Sequence, residues 1–333
     1  MMIGCRTESF TYKTIGDCKV EADIHRLESD SIQPILVWIH GGALIKGHRQ
    51  SIPVHQLHMY LNAGLTVVSV DYRLAPETKL KAIIEDIQDA YQWVRNEVPK
   101  WARTDSDRVA IMGQSAGGYL TLMMGFCVSP RPKALIAFYG YGDILSTWYR
   151  HPDPFYLGQP LVSKEEAYGA ITNRIVANSV GLSNRDRLYL YCRQQGLWPQ
   201  LVAGFDADSL PDALDAFRPV RNVTPEYPPT LLLHGDADTD VPYEESVEMS
   251  RQLGRHGVKH QLITLPGKGH VFDAEVEDPL VKSAFGTVLG FVREHLLVER
   301  AERAPEVDGD RTGHFTGKRG RISAIEFGTG GRS

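Results

Sequence analysis

A chain of 333 residues exceeds a minimal single domain and falls short of two large ones, so one catalytic-sized core with an insertion and a tail is expected. Hydrophobic residues make up 42%, enough for a full core, and a net charge of −5 with no basic stripe argues against a nucleic-acid partner. Cys5, Cys18, Cys127 and Cys192 are scattered without CxxC spacing, which argues against a zinc site and gives no disulfide framework.

Along the chain, residues 10–26 alternate in polarity and predict an antiparallel hairpin. Short apolar runs follow at 35–40, 65–72, 108–113, 134–140, 230–235 and 260–266, each bounded by Gly, Pro or Asp. Such runs suit strands buried on both faces. Between them, residues 80–97 carry Ile83, Ile84, Ile87, Tyr91 and Val94 at helical spacing, and 244–256 and 281–298 also read as helices. Strand–helix alternation predicts an α/β fold with a mostly parallel, doubly wound sheet. Residues 143–225 break the rhythm and are expected to form a helical cap inserted between the core segments 1–142 and 226–298. Residues 299–333, rich in Gly, Arg and Ser, are expected to be a flexible tail. The N-terminus shows no charged stretch leading into an apolar run, and no segment approaches the roughly 18 apolar residues of a membrane helix, so a cytoplasmic location is expected.

The strongest chemical signal is Gly113-Gln114-Ser115-Ala116-Gly117, placed between the run ending at 113 and a helix beginning near Gly118. A serine on a sharp strand-to-helix turn projects its hydroxyl above the sheet, and flanking glycines spare the turn from collisions. The helix start supplies a positive field and a free amide at Ala116, suited to a developing oxyanion. A serine hydroxyl needs a base. Downstream, His270 sits in a glycine-flanked loop, and Asp236, Asp238 or Asp240 at the end of the 230–235 strand is the orienting acid. Upstream, Gly41, Gly42 and Ala43 follow the 35–40 strand, where small residues let backbone amides approach a substrate oxygen; His40 is read as a brace for that loop.

Together, HGGA (40–43), DYRLAPE (71–77), GQSAGG (113–118), HGDADTDVP (234–242) and GKGH (267–270) make residues 10–298 resemble the hormone-sensitive-lipase-like esterases, the acetylesterase and carboxylesterase branch of the α/β-hydrolase superfamily. The resemblance implies Ser115 as nucleophile, His270 as base and Asp238, rather than its two neighbours, as the acid. It also implies an oxyanion hole from Gly41, Gly42, Ala43 and Ala116, and a structural role for Asp71 and Arg73 as ion-paired loop supports. Ala43 departs from the usual third glycine, and Gln114 stands where an acid is common. Few residues precede the first core strand, so the covering over the site is expected from 143–225.

The resulting expectation is a serine carboxylic-ester hydrolase for short-chain acyl esters, working through an acyl-enzyme. A small-amide hydrolase or peptidase-like member, or a non-catalytic small-molecule receptor, is the alternative. Trp148, Tyr149, Phe155, Tyr156 and Trp198 are candidate pocket walls. No cofactor and no metal are implied. The expected partner is a small-molecule ester, with no nucleic acid and no membrane span; a homodimer is left open.

Overall fold

The computed structural model describes residues 4–204 and 211–297. Eight strands form one sheet. β1 (Cys5–Ile15) and β2 (Cys18–Leu27) make an antiparallel hairpin, with β2 antiparallel to β4 (Thr66–Val70). From β4 onward all pairings are parallel, through β3 (Gln33–Ile39), β5 (Thr104–Gln114), β6 (Ala134–Phe138), β7 (Thr230–Gly235) and β8 (His260–Leu265). The expected doubly wound sheet is present. The hairpin is longer than its alternating sequence suggested and forms the sheet's edge.

Every residue of β3, β4, β6 and β7 is buried, because helices cover both faces. Alternate side chains feed two separate cores. Ile35, Val37 and Ile39 pack with α2 (Leu80–Asn96) on one side, while Leu36 and Trp38 join α1 (Val54–Asn62) and α11 (Pro279–Val292) on the other. The 3.6-residue stripe in 80–97 gives α2 its buried Ile83, Ile84, Ile87, Tyr91 and Val94. The helix expected over 281–298 starts two residues earlier, since Asp278 caps the amides of Leu280 and Val281 and Pro279 suits the first turn. α3 (Val98–Trp101), α4 (Ala116–Cys127) and α10 (Glu244–Arg255) complete the helices of the core segments.

The segment between β6 and β7 carries α5 (Thr147–Arg150), α6 (Pro154–Leu157), α7 (Lys164–Tyr168), α8 (Arg185–Gln195) and α9 (Trp198–Ala203). Buried polar groups tie it down. The Glu245 carboxylate on α10 accepts from the amides of Gly142 and Asp143, the Ser146 hydroxyl and the Trp148 indole. Glu77 takes Arg185 at 2.6 Å, both side chains being under 5% exposed. The DYRLAPE stretch thus carries buried ion pairs, as the resemblance implied for Asp71 and Arg73. Asp71 binds Arg49, Arg73 binds Asp86, and Glu77 reaches into the inserted segment. Residues 299–333, where a flexible tail was expected, lie outside the described residues.

Candidate active site

The parallel register brings the carboxyl ends of the strands to one edge. Ile39 lies opposite Gly113, Gln114 opposite Phe138, Phe138 opposite Leu233, and Gly235 opposite Leu265. The loops after β3, β5, β6, β7 and β8 therefore converge where ligands of open α/β sheets bind.

Ser115 sits between β5 and α4 with φ +53° and ψ −119°, a left-handed backbone that costs a non-glycine residue about 1–3 kcal/mol. The residues two positions to either side, Gly113 and Gly117, must be glycine. A Cβ on Gly117 would lie 2.1 Å from the Ile39 carbonyl oxygen, and one on Gly113 would lie 2.2 Å from the Gly117 oxygen. Gly41 is pressed against the same turn, 2.9 Å from the Gln114 oxygen by the same measure. The end of β3 and the loop after it thus touch the Ser115 turn only because Gly41 and Gly117 lack side chains.

That loop holds Gly42, Ala43 and Leu44 at φ 98°, 55° and 62°. It is braced from below. His40 is fully buried and stacks on Tyr72 with ring centroids 4.1 Å apart, and the Tyr72 hydroxyl donates to the His40 carbonyl at 3.0 Å. Burial pushes the His40 imidazole down to about 3, so it is neutral at working pH. The Trp198 indole donates to the Ala43 carbonyl at 2.9 Å, fixing that peptide from the inserted segment. Among the described residues, no backbone acceptor takes the amides of Gly41, Gly42 or Ala43, and Ala116 is the first residue of α4, where no intrahelical acceptor exists.

Asp238 is enclosed, its side chain 0% exposed. One carboxylate oxygen accepts from the amides of Asp240 and Val241, at 2.8 and 3.0 Å, and the other takes His270 Nδ1 at 2.7 Å. Burial opposes its ionisation, but the hydrogen bonds from His234 and His270 hold it well below the usual carboxylate range. Asp236 instead accepts from the Gly267 amide, bracing the loop that carries His270. For His270, burial alone would lower the pKa. The Asp238 hydrogen bond and the charges of Asp240, Asp238 and Asp273 more than offset that, leaving it above its ordinary value.

Ser115 and His270 line one cavity of about 260 Å³, together with Gly41, Gly42, Ala43, Lys46, Gln114, Tyr139, Tyr189, Asp240 and Val271. No hydrogen bond joins Ser115 Oγ to His270 in this state; the described polar atom near His270 Nε2 is Asp240 Oδ2, 3.5 Å away. Such contacts commonly tighten only when substrate is present.

The five aromatics expected at the pocket fall elsewhere. Tyr149 stacks between Trp148 and Trp198 at centroid distances of 3.5 and 4.0 Å, forming the interior of the inserted segment, and Phe155 is 50% exposed. Tyr156 lies behind the wall, its hydroxyl on Asp240 at 2.6 Å. Of the aromatics that do line the cavity, Tyr189 belongs to the aromatic-rich 143–225 segment, while sequence reasoning missed Tyr139. It also missed Asp273, a carboxylate 1% exposed that accepts from Tyr139, Gln56 and Gln114 at 2.5 Å each. Tyr139 packs against the His270 ring at 4.5 Å, so Asp273 steadies both the Ser115 turn, through Gln114, and the imidazole. Its place three residues after His270 was the available signal. Among the described residues no group of three or more His, Cys, Asp or Glu is placed to hold a metal, and no helix is long and apolar enough to cross a membrane.

Comparison with known proteins agrees with this frame. The BD-FAE family model matches residues 23–253. Curated relatives include the non-reducing polyketide synthases adrD of Penicillium rubens, 27% identical, and Preu3 of Preussia isomera, 29% identical. These alignments cover 87% and 80% of this chain but only 14% and 13% of those much longer proteins. Among solved structures, a protein of unknown function from Staphylococcus aureus superposes with a TM-score of 0.72 at 20% identity, over 87% of this chain and 99% of that one. A bacterial heroin esterase gives 0.66 at 20% over 88% and 85%, and carboxyl esterase 2 of Tuber melanosporum gives 0.65 at 20% over 89% and 87%. At such identities the structural matches speak for the fold, and the family model speaks for descent: the chain belongs to the BD-FAE family and has the α/β-hydrolase fold.

Proposed function

We propose that this protein is a serine carboxylic-ester hydrolase for short-chain acyl esters. The observation that carries the reading is the convergence of a strained, glycine-flanked serine, an Asp238-held imidazole and a loop of unengaged amides on one small cavity. Ser115 Oγ attacks the acyl carbon while His270 Nε2 takes its proton; the amides of Gly41, Gly42, Ala43 and Ala116 receive the oxyanion. His270 then protonates the departing alcohol, and water repeats the sequence on the acyl-enzyme. Asp238 keeps the Nδ1–H tautomer and stabilises the imidazolium. The inserted segment acts as the cap, supplying Tyr189 and the Trp198 brace.

A cavity near 260 Å³ lies below the usual range for drug-sized ligands and favours small acyl groups. On p-nitrophenyl esters, kcat/KM is expected to peak at acetate or butyrate and to fall at least about tenfold at decanoate, a difference of about 1.4 kcal/mol. Faster turnover of palmitate than of butyrate contradicts the assignment.

The pH profile follows from His270. The base must be neutral, so activity rises with pH through its pKa, and that pKa is shifted upward. The acidic limb of kcat/KM is therefore expected above the ordinary histidine value of about 6.5. A midpoint clearly below that value would mean that the surrounding carboxylates do not act on the imidazole.

A further inference from the structure

Asp240 is a second carboxylate on the wall of the Ser115 cavity, and no step above uses it. Resting on the ester-hydrolase reading and deepening it, we propose that Asp240 binds substrate and selects esters whose alcohol half carries a protonated amine close to the ester oxygen.

The two oxygens of Asp240 live in different surroundings. Oδ1 is saturated, accepting from the hydroxyls of Tyr156 and Tyr189 at 2.6 and 2.5 Å and from Arg193 Nη1 at 2.9 Å. Oδ2 has His270 Nε2 at 3.5 Å and no hydrogen bond among the described residues, leaving its lone pairs for a donor in the cavity. A side chain locked through one oxygen and open through the other is preorganised to bind.

Charge favours a cation. Arg193 is fully buried and divides its guanidinium between Asp153, at 2.6 Å, and Asp240, so two carboxylates share one positive charge. The other charged group on the cavity wall, Lys46, is engaged by Asp186. One negative charge is left beside the reacting atoms, and the rings of Tyr139 and Tyr189 on the same wall are suited to an adjacent ammonium. The position sets which half of the substrate is read. His270 Nε2 delivers the proton to the leaving alcohol oxygen, so a group reaching Oδ2 from that point belongs to the alcohol, a carbon or two beyond the ester oxygen.

The test compares 2-(dimethylamino)ethyl acetate with 3-methylbutyl acetate, which share a skeleton and differ by N–H⁺ for C–H, each rate being scaled to its alkaline hydrolysis. At neutral pH the wild type is expected to favour the cation in kcat/KM by about tenfold or more, as for a charge-assisted hydrogen bond, and Asp240→Asn to remove that preference. In the wild type the same ratio is expected to fall as the substrate amine deprotonates, a readout that requires no variant and in which the ionisation of His270 cancels. Equal use of the two esters by the wild type, or an Asp240→Asn variant that slows both in proportion, overturns the proposal and leaves Asp240 as an anchor for Tyr156, Tyr189 and Arg193. A wild type that hydrolyses neither ester overturns the ester-hydrolase reading itself.

Discussion

Ser115→Ala is expected to lower kcat/KM on p-nitrophenyl butyrate by roughly 10⁴–10⁶-fold, the range seen when the nucleophile of a serine triad is removed. The same change abolishes covalent labelling by an organophosphonate, read as a mass shift on the peptide containing residue 115. The fold is expected to be indifferent. Ser115 Oγ makes no hydrogen bond among the described residues, the Cβ that meets Gly41 is retained, and the positive φ is the same for alanine. The stability change should stay within about 0.5 kcal/mol. This separation matters, because loss of activity together with loss of structure says nothing about chemistry. Retention of labelling in the alanine variant would place the reactive group elsewhere and remove the basis for every catalytic role assigned here.

Asp238→Asn carries the second large effect, a fall in kcat of roughly 10⁴-fold with substrate binding little changed. The reason is a tautomer. The carboxylate accepts from His270 Nδ1 at 2.7 Å, so the proton sits on Nδ1 and Nε2 is free to take the serine proton. An asparagine keeps one oxygen for the amides of Asp240 and Val241, and turns an NH₂ toward His270 Nδ1. The imidazole then carries its proton on Nε2, where it cannot act as base. A second readout distinguishes this from simple loosening. Part of the upward shift of His270 comes from Asp238, so the acidic limb of the residual activity is expected to move to lower pH. A variant that melts earlier, yet keeps the wild-type limb and most of its kcat, is inconsistent with an orienting acid at this position.

The contrast between Asp236, Asp238 and Asp240 shows where sequence reading stops. Three acids within five residues follow the same strand, and spacing alone left each eligible; only the resemblance singled out the middle one. In space the three diverge. Asp236 turns back to the Gly267 amide, Asp238 is sealed against two histidines, and Asp240 turns toward residues of the inserted segment. The aromatics of 143–225 show the same limit: composition identified them as apolar mass, and the stacking of Trp148, Tyr149 and Trp198 on one another shows that most of that mass fills the segment's own interior.

Read as residues alone, the chain determined its sheet, the order of its strands and helices along the chain, the glycine-lined serine turn and the three loops that were to meet it. Those features are local: a period of two or 3.6, a glycine where a Cβ would strike backbone, an acid or histidine at the end of a strand. Tertiary structure alone decided that Tyr139 and Tyr189 wall the cavity, that Asp273 joins Gln56 and Gln114 beneath it, and that Arg193 is shared between Asp153 and Asp240. These contacts unite side chains from 40 to 217 positions apart. Their geometry depends on how separate elements pack, and no periodicity within a single segment records it.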